Sequence, residues 1–329
     1  MQTSRKNDAL AQRLKGYGDN IRNFDLYRGD TQQAIFAQHL VLATLKEVFR
    51  HEFAALKFVN NGLIPWDTSV PAGALSVGWY DLDRTTGPGD GIVADDAEDI
   101  PAVDLAADFH TNRAVTVAKA FKYSLQDVET AAMQGLFSLV NEKSTATREE
   151  HDRDLNNLVR NGSNDGSIPG LYQFPGIQIE PAITGTWATA TADQITADFN
   201  TAVTSVMSNT EGRGEPDTAL FSIAAWRRIN TQLGNAAGGN DSILKRLQLA
   251  NPFITRWDWE NGLVGVGDGG TDSVLIYKNQ PSTLRAVLPM RMVPLAPQER
   301  GLSVKVILRS RYAGIVVPRP REIVRLDGV

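Results

Sequence analysis

From Gly73 to Gly162 the chain carries a stretch with no means of closing into a lobe of its own. It opens with period-two alternation, Leu75, Val77 and Trp79 interleaving with Ala74, Ser76, Gly78 and Tyr80, as a strand with two different faces requires. Thr85-Thr86-Gly87-Pro88-Gly89-Asp90-Gly91 follows, rich in residues that accept positive φ or preset it, which predicts a hairpin tip and a return strand from about Ile92. The chain up to Asn112 is acidic and poor in large apolar side chains, so it is expected not to fold on itself; alternation resumes at Val115, Val117, Lys119 and Phe121. Ser124 with Asp127 then resembles a capping box, and Leu125, Val128, Ala132, Leu136, Leu139 and Val140 form a helical stripe. Proline is absent until Pro169, so one helix running through Leu155, Leu158 and Val159 to a C-cap at Gly162 would span about 37 residues and roughly 55 Å. Its middle, Lys143 to Asp154, lacks large apolar residues and is expected to be a solvent-facing strut or a surface met by neighbours. A projecting arm beside so long a strut suits a protein that interlocks with copies of itself.

Charge sharpens that expectation. Residues 81–112 hold nine acidic side chains against Arg84 alone, a net of −8, whereas residues 281–326 hold nine basic ones against Glu299 and Glu322, a net of +7. The candidate contact between copies therefore pairs the arm, with Asp81, Asp83, Arg84, Asp95, Asp96, Glu98 and Asp99, against Arg309, Arg311, Arg319, Arg321 and Arg325. The plain alternative is two solvated faces, because exposed ion pairs contribute only about 0 to 1 kcal/mol each.

The 329 residues, 42% of them hydrophobic, are enough for one large domain or two ordinary ones. No apolar run approaches the roughly 18 to 20 residues that span a bilayer, and the polar segment Met1 to Asn20 has no signal-peptide core, so a soluble, cytoplasmically made chain is expected. With no cysteine, disulfides and thiolate chemistry are excluded and stability has to come from packing and contacts between chains. Residues 1–29 read as a polar arm ordered only by a partner. Asp30 reads as the N-cap of a helix striped by Ile35, Leu42, Leu45, Phe49, Phe53 and Leu56 and ended by Asn60, Asn61 and Gly62. Beyond Gly170, a helix capped by Thr191 and Gln194 carries Ile195, Phe199, Val203 and Val206. Short strands near 219–223, 253–259 and 274–277 alternate with helices near 224–233 and 241–249, an order that is α+β in character. Strands at Leu302–Leu308 and Tyr312–Val317 have to rejoin the first half.

Enzyme signatures are weak. Gly265-Val-Gly267-Asp-Gly269-Gly270 fits G-x-G-x-x-G, but a dinucleotide site needs a helix to open there, and Thr271 to Tyr277 reads as a strand, which favours a glycine-rich hairpin turn. His39, His51, His110 and His151 lack ligand spacing, and Asp95 to Asp99 lacks the pattern of a calcium loop. Trp187, Trp226, Trp257 and Trp259 sit among apolar neighbours as core residues. No catalytic residue, cofactor or metal is expected.

With its pieces in this order the chain resembles the major capsid proteins of tailed bacteriophages with the Hong Kong 97 fold. The resemblance covers nearly the whole chain and includes Trp79-Tyr80-Asp81, Gly162-Ser-Asn-Asp-Gly166 before Pro169-Gly170-Leu171, and Val316-Val317-Pro318-Arg319-Pro320. It implies an N-terminal arm and helix over 1–60 and an extended loop over 61–123. A peripheral domain with the spine helix would take 124–180 and 291–329, and an α+β axial domain 181–290. It also implies self-assembly into pentamers and hexamers that form an icosahedral head around double-stranded DNA, touched only by weak non-specific contact. Scaffolding, portal and decoration proteins would be partners, with assembly in a bacterial cytoplasm and no membrane. In some family members a lysine of the loop forms an isopeptide bond to a neighbour's asparagine; here no lysine lies between Lys57 and Lys119, so the loop is expected to be held by charge and packing, and shells to loosen at high salt. Two other readings are an encapsulin-like compartment shell and an enzyme with a phosphate loop at Gly265 to Gly270.

Overall fold

The computed structural model describes residues 56–60, 62–86, 102–134, 139–183, 185–231 and 241–329, all within the compact unit Ala54–Val329. The expected arm, most of the helix behind Asp30, the loop tip and the chain between the helices expected near 224–233 and 241–249 lie outside the described residues. The chain enters through α1 (Lys57–Asn60), followed by Gly62 at φ +62 where the stop was expected, and β1 (Trp66–Asp67). β2 (Ser76–Thr86) and β3 (Val103–Arg113) pair antiparallel from Ser76↔Arg113 to Thr86↔Val103. The acidic stretch that was not expected to fold on itself is a strand for eleven residues, paired with β2. Val103, Leu105, Ala107 and Phe109 alternate with its acids, and period-two patterning outweighs the scarcity of apolar bulk once a partner strand is alongside.

β4 (Val115–Ser124) pairs along its whole length with β12 (Ser303–Tyr312), whose other edge takes β10 (Met290–Pro294) and β11 (Gln298–Arg300). The C-terminal strands therefore do rejoin the first half. The capping box is formed: Asp127 N–H donates to Ser124 Oγ at 3.1 Å and Ser124 N–H to Asp127 Oδ2 at 3.3 Å. Behind it come α2 (Leu125–Gln134) and α3 (Leu139–Asn161), residues 135–138 lying outside the described set. α3 ends at Gly162, φ +77, as the sequence requires. Its middle is not bare of packing, however: His151 is fully buried against the sheet with Nε2 2.8 Å from Ser310 Oγ, and Lys119 of β4 pairs with Asp154 at 2.7 Å.

The turn after α3 carries a titratable clasp. The Ser163 hydroxyl, then the hydroxyl and amide of Ser167, hold the Asp165 carboxyl at about 2. A depressed carboxylate stabilises the fold above its unfolded value near 4 and loses that contribution as pH falls toward about 2. The melting temperature of unassembled protein should therefore exceed that of Asp165→Asn at pH 6, with the gap closing by about pH 2; an unchanged gap would refute the clasp.

The remaining chain forms a five-stranded sheet in the order β5-β14-β8-β6-β7, from β5 (Gln178–Pro181), β6 (Thr218–Phe221), β7 (Arg256–Trp259), β8 (Ser273–Tyr277) and β14 (Ile323–Asp327). On one face lie α4 (Ala192–Asn209), α5 (Ile223–Ile229) and α6 (Ile243–Ala250), packing Ile195, Phe199, Val203, Ile229 and Leu247 on Ala219, Phe221, Val274, Ile276 and Val324. On the other, Leu220, Leu275, Tyr277 and Ile323 meet Phe58, Leu155, Val159 and Tyr172. A sheet covered on both faces explains why β8 is buried at every position rather than alternating. Thr191 and Gln194 close the capping box of α4 as expected. Ser222 and Ser242 cap α5 and α6. Two chain ends depart from the sequence picture. β14 does not return to the sheet beside α3 but inserts between β5 and β8, since its residues Ile323 to Leu326 have both faces to bury. A third small sheet, β1-β9-β13, uses β9 (Arg285–Val287) and β13 (Ile315–Val316) to join the two halves.

Candidate assembly surfaces

Among the described elements the β2–β3 ribbon is poorly covered, with β3 exposed at all but one of its residues. Among the described residues no third strand joins it, and an isolated two-stranded sheet is marginal in water. Its root is fixed: Val77 and Trp79 pack on Ala114, Val287, Ala313 and Val316, and Asn112 Nδ2–H donates to Ile315 O at 2.9 Å. Farther out the register sorts side chains onto two unlike faces. One carries Tyr80, Leu82, Leu105 and Phe109, left 70%, 64%, 61% and 57% exposed, with the Tyr80 and Phe109 rings 4.8 Å apart. Phe109 also covers Gly78, where a Cβ would fall 2.6 Å from the ring. The other carries Asp81 directly across from Asp108, then Asp104. An exposed apolar face of that size marks a binding surface.

The sheet of β4 and β12 offers a surface of the opposite sign. Val304, Val306, Leu308, Ser310 and Tyr312 alternate toward α3, as the His151–Ser310 contact fixes, which puts Lys305, Ile307, Arg309 and Arg311 on the far face. Lys122 of β4 stands directly across from Lys305 on that far face, and Ala118 across from Arg309. Arg311 Nη1–H donates to Ala72 O at 2.8 Å, tying the loop before β2 down to this sheet.

The residues expected to form the contact are thus only partly brought together. Asp81 is exposed on the ribbon, and Asp83 and Arg84 lie in β2, but Asp95, Asp96, Glu98 and Asp99 fall outside the described residues. Arg309 and Arg311 share the outer sheet face. Arg319 and Arg321 sit elsewhere, exposed on the turn before β14, where Arg319 Nη1 is 3.3 Å from Glu322 Oε1. Arg325 leaves the surface altogether. It is buried, bonds both oxygens of Asp327 at 2.8 Å and donates through Nη1 to Tyr172 O at 2.7 Å, so its guanidinium is used up within the chain. A count of charge along the sequence cannot see that burial. What the count also missed is Lys122, the charged residue 183 positions before Lys305 that faces the same way, and the apolar ribbon face, whose alternation was legible from residues 103 to 109.

The glycine-rich segment supports no phosphate site. Gly267 N–H donates to Thr271 O at 2.8 Å, a short 3-10 turn covers Asp268–Gly270, and β8 follows at Ser273 without a helix whose N-terminus could meet an anion. Nor is it a hairpin turn, because β7 and β8 are separated by β6 in the sheet. Among the described residues no group of three or more potential ligands is placed to hold a metal, and no described helix is long and apolar enough to cross a membrane. Of the four tryptophans read as core, Trp187 is fully buried and Trp226 and Trp257 are partly so. Trp259 lies under the ammonium of Lys57, 3.8 Å from the ring centroid, with Asp258 as the ion-pair partner.

Residues 89–329 match the family model described as major capsid protein. No curated protein matches the chain. Among solved structures, the capsid of Myoviridae phage XM1 is similar with a TM-score of 0.77 at 19% identity, covering 89% of this chain and 98% of that one. A Mycobacterium phage Bobi structure gives 0.61 at 16% identity, over 90% and 98% of the two chains. The holo-SrpI encapsulin complex of Synechococcus elongatus gives 0.54 at 13% identity, over 90% and 95%. These likenesses establish the Hong Kong 97-type capsid fold.

Proposed function

The chain belongs to the major capsid protein family and is a structural component of a capsid shell; from that premise we propose that it assembles into pentamers and hexamers that close an icosahedral head around double-stranded DNA. The observation that carries this reading is the ribbon: eleven paired residues with an unshared apolar face that has no purpose in a monomer. Covering each large side chain would contribute about 1.5 to 3 kcal/mol before the cost of association is subtracted. In the proposed assembly that face lies against another copy of the chain. The division into an arm, loop, peripheral domain and axial domain, the scaffolding, portal and decoration partners, and assembly in a bacterial cytoplasm belong to the same proposal. The glycine turn at 265–270 favours no enzymatic alternative, since the amides of Gly265, Gly267, Asp268, Gly269 and Gly270 already donate to acceptors within the chain.

Negative-stain imaging of the purified protein tests the reading. Closed shells that protect nucleic acid are expected; a uniform small oligomer would overturn it, and shells filled with a protein cargo would turn it toward a compartment shell. The ribbon has its own test. Leu82→Asp with Leu105→Asp should leave the far-ultraviolet circular dichroism unchanged while cutting shell yield about tenfold or more, because two charges would have to be buried without partners. Shells at the parental yield would show that this face is not part of the contact.

A further inference from the structure

Five Asn-Gly or Asp-Gly pairs lie wholly among the described residues, and in four of them the glycine amide is committed to an acceptor other than the side chain before it. Gly162 N–H donates to Leu158 O at 3.0 Å, Gly166 N–H to Ser163 O at 3.0 Å, Gly262 N–H to Glu260 Oε1 at 3.3 Å and Gly328 N–H to Asp272 O at 3.1 Å. The fifth pair is different. Gly269 N–H donates at 3.1 Å to Oδ1 of Asp268, the residue just before it. The Asp268 carboxyl is thus folded back on the one backbone nitrogen with which it can close a five-membered ring.

The peptide group between the two residues is also held and polarised. Asp268 N–H donates to Asp327 Oδ2 at 3.2 Å, and the Thr271 hydroxyl donates to Asp268 O at 2.9 Å. The second bond acts on the very group that would react. When the Gly269 nitrogen loses its proton, the charge spreads onto the Asp268 carbonyl oxygen, where a hydroxyl donor already stands to stabilise it. Gly269 has no side chain, nothing lies within 4 Å of where a Cβ would stand, and both residues are exposed, so neither sterics nor burial blocks the approach.

We propose that Asp268–Gly269 is a site of covalent ageing at which the main chain isomerises to isoaspartate. The reaction needs no cofactor. Gly269 N gives up its proton and bonds to Cγ of the protonated Asp268 carboxyl, the Cγ–OH bond breaks, and one water leaves behind a succinimide ring. Water then adds to either ring carbonyl. Opening at Cγ restores aspartate, whereas opening at the main-chain carbonyl leaves the chain running through Cβ and Cγ as isoaspartate. The product adds one main-chain carbon to a turn closed by Gly267 N–H to Thr271 O at 2.8 Å and Gly270 N–H to Gly267 O at 3.0 Å. The turn's hold on Asp327 loosens with it, and Asp327 is the residue that takes Arg325 and Ser273 at the end of β14. The inference stands apart from the shell reading and does not need it.

Peptide mapping of the full chain, kept folded for weeks in warm neutral buffer, tests it. Isoaspartate is read as a peptide of unchanged mass and shifted retention, and by methyl transfer from an isoaspartate methyltransferase. At position 268 it is expected to exceed positions 165 and 327 by about tenfold or more, because the glycine amides there must first break a hydrogen bond. In denaturant the three aspartates should converge. Thr271→Val should slow conversion at 268 by about three- to tenfold, with melting followed in parallel to show that the chain is still folded. Asp268→Asn should pass through the same ring faster, losing ammonia and reporting ring formation as a change in mass. Equal conversion at all three aspartates of the folded chain, or none at 268 in both the parent and Asp268→Asn, would overturn the proposal, as would a folded Thr271→Val protein converting at the parental rate.

Discussion

Replacing Gly170 with alanine is expected to leave no folded protein to purify. A Cβ at this position would stand 2.2 Å from the carbonyl carbon of Asn161, 2.3 Å from the amide nitrogen of Gly162 and 2.4 Å from the carbonyl oxygen of Arg160. All three are backbone atoms of the α3 terminus, so no rotamer change relieves the overlap. The two segments are also stitched together, Leu171 N–H donating to Val159 O at 2.9 Å and Tyr172 N–H to Arg160 O at 3.1 Å. Separating them would release the buried side chains of Leu171 and Tyr172 from the core that joins α3 to the five-stranded sheet. The cost should exceed about 4 kcal/mol, a large share of the roughly 5 to 15 kcal/mol by which a domain of ordinary stability is folded. Gly166→Ala is the control: its φ of +72 disfavours a side chain, but nothing stands within 4 Å, so about 1 to 2 kcal/mol is expected. Soluble yield and thermal melting of the two variants decide the matter. A Gly170→Ala protein melting within a few degrees of the parent would mean that the two segments can part cheaply.

The second large effect is expected at Glu260. Its carboxylate is buried and pairs with Arg160 at the end of α3, while its Oε1 also accepts the Gly262 amide at 3.3 Å. Burial pulls the Arg160 guanidinium below its usual range, a sign that the charge is held at a desolvation cost. Glu260→Ala would leave that charge uncompensated and should destabilise unassembled protein by about 3 to 5 kcal/mol in chemical denaturation. The double variant Arg160→Met with Glu260→Leu should recover most of the loss, because replacing both charges removes the desolvation penalty along with the attraction. A loss under about 1 kcal/mol from Glu260→Ala alone would show that water reaches the pair. Like Gly170, this pair ties the long helix to the five-stranded sheet, and a shell subunit needs that junction rigid if contacts made at one end are to fix the position of the other.

Much of the architecture was legible from short-range signals. Ser124 with Asp127, Thr191 with Gln194 and Gly162 with its positive φ all work within about four residues, and the chain shows them at the expected places. The stripe of Ile195, Phe199, Val203 and Val206 is buried as its helical spacing demands. The candidate surface was less legible. Summed charge drew attention to the ribbon and the C-terminal strands but could not separate Arg309, exposed on the sheet, from Arg325, whose three guanidinium nitrogens all donate inside the chain. Acidity also hid the strand at Val103–Arg113, because the density of acids was weighed above their alternation with apolar residues.

The sequence by itself determined where the capped helices start and stop and that no disulfide can form. The helix ends rest on caps, turn residues and periodicity, which act through neighbouring backbone groups. Only the tertiary structure decided which faces remain free. Lys122 and Lys305 become neighbours because β4 and β12 pair, and Asp81 and Asp108 because β2 and β3 pair in one register. β14 fell between β5 and β8 because it had two faces to bury and that sheet offers cover on both. Strand neighbours are chosen by burial summed over contacts between residues far apart in the chain, and a pattern read within one segment carries no information about which distant segment supplies the other half.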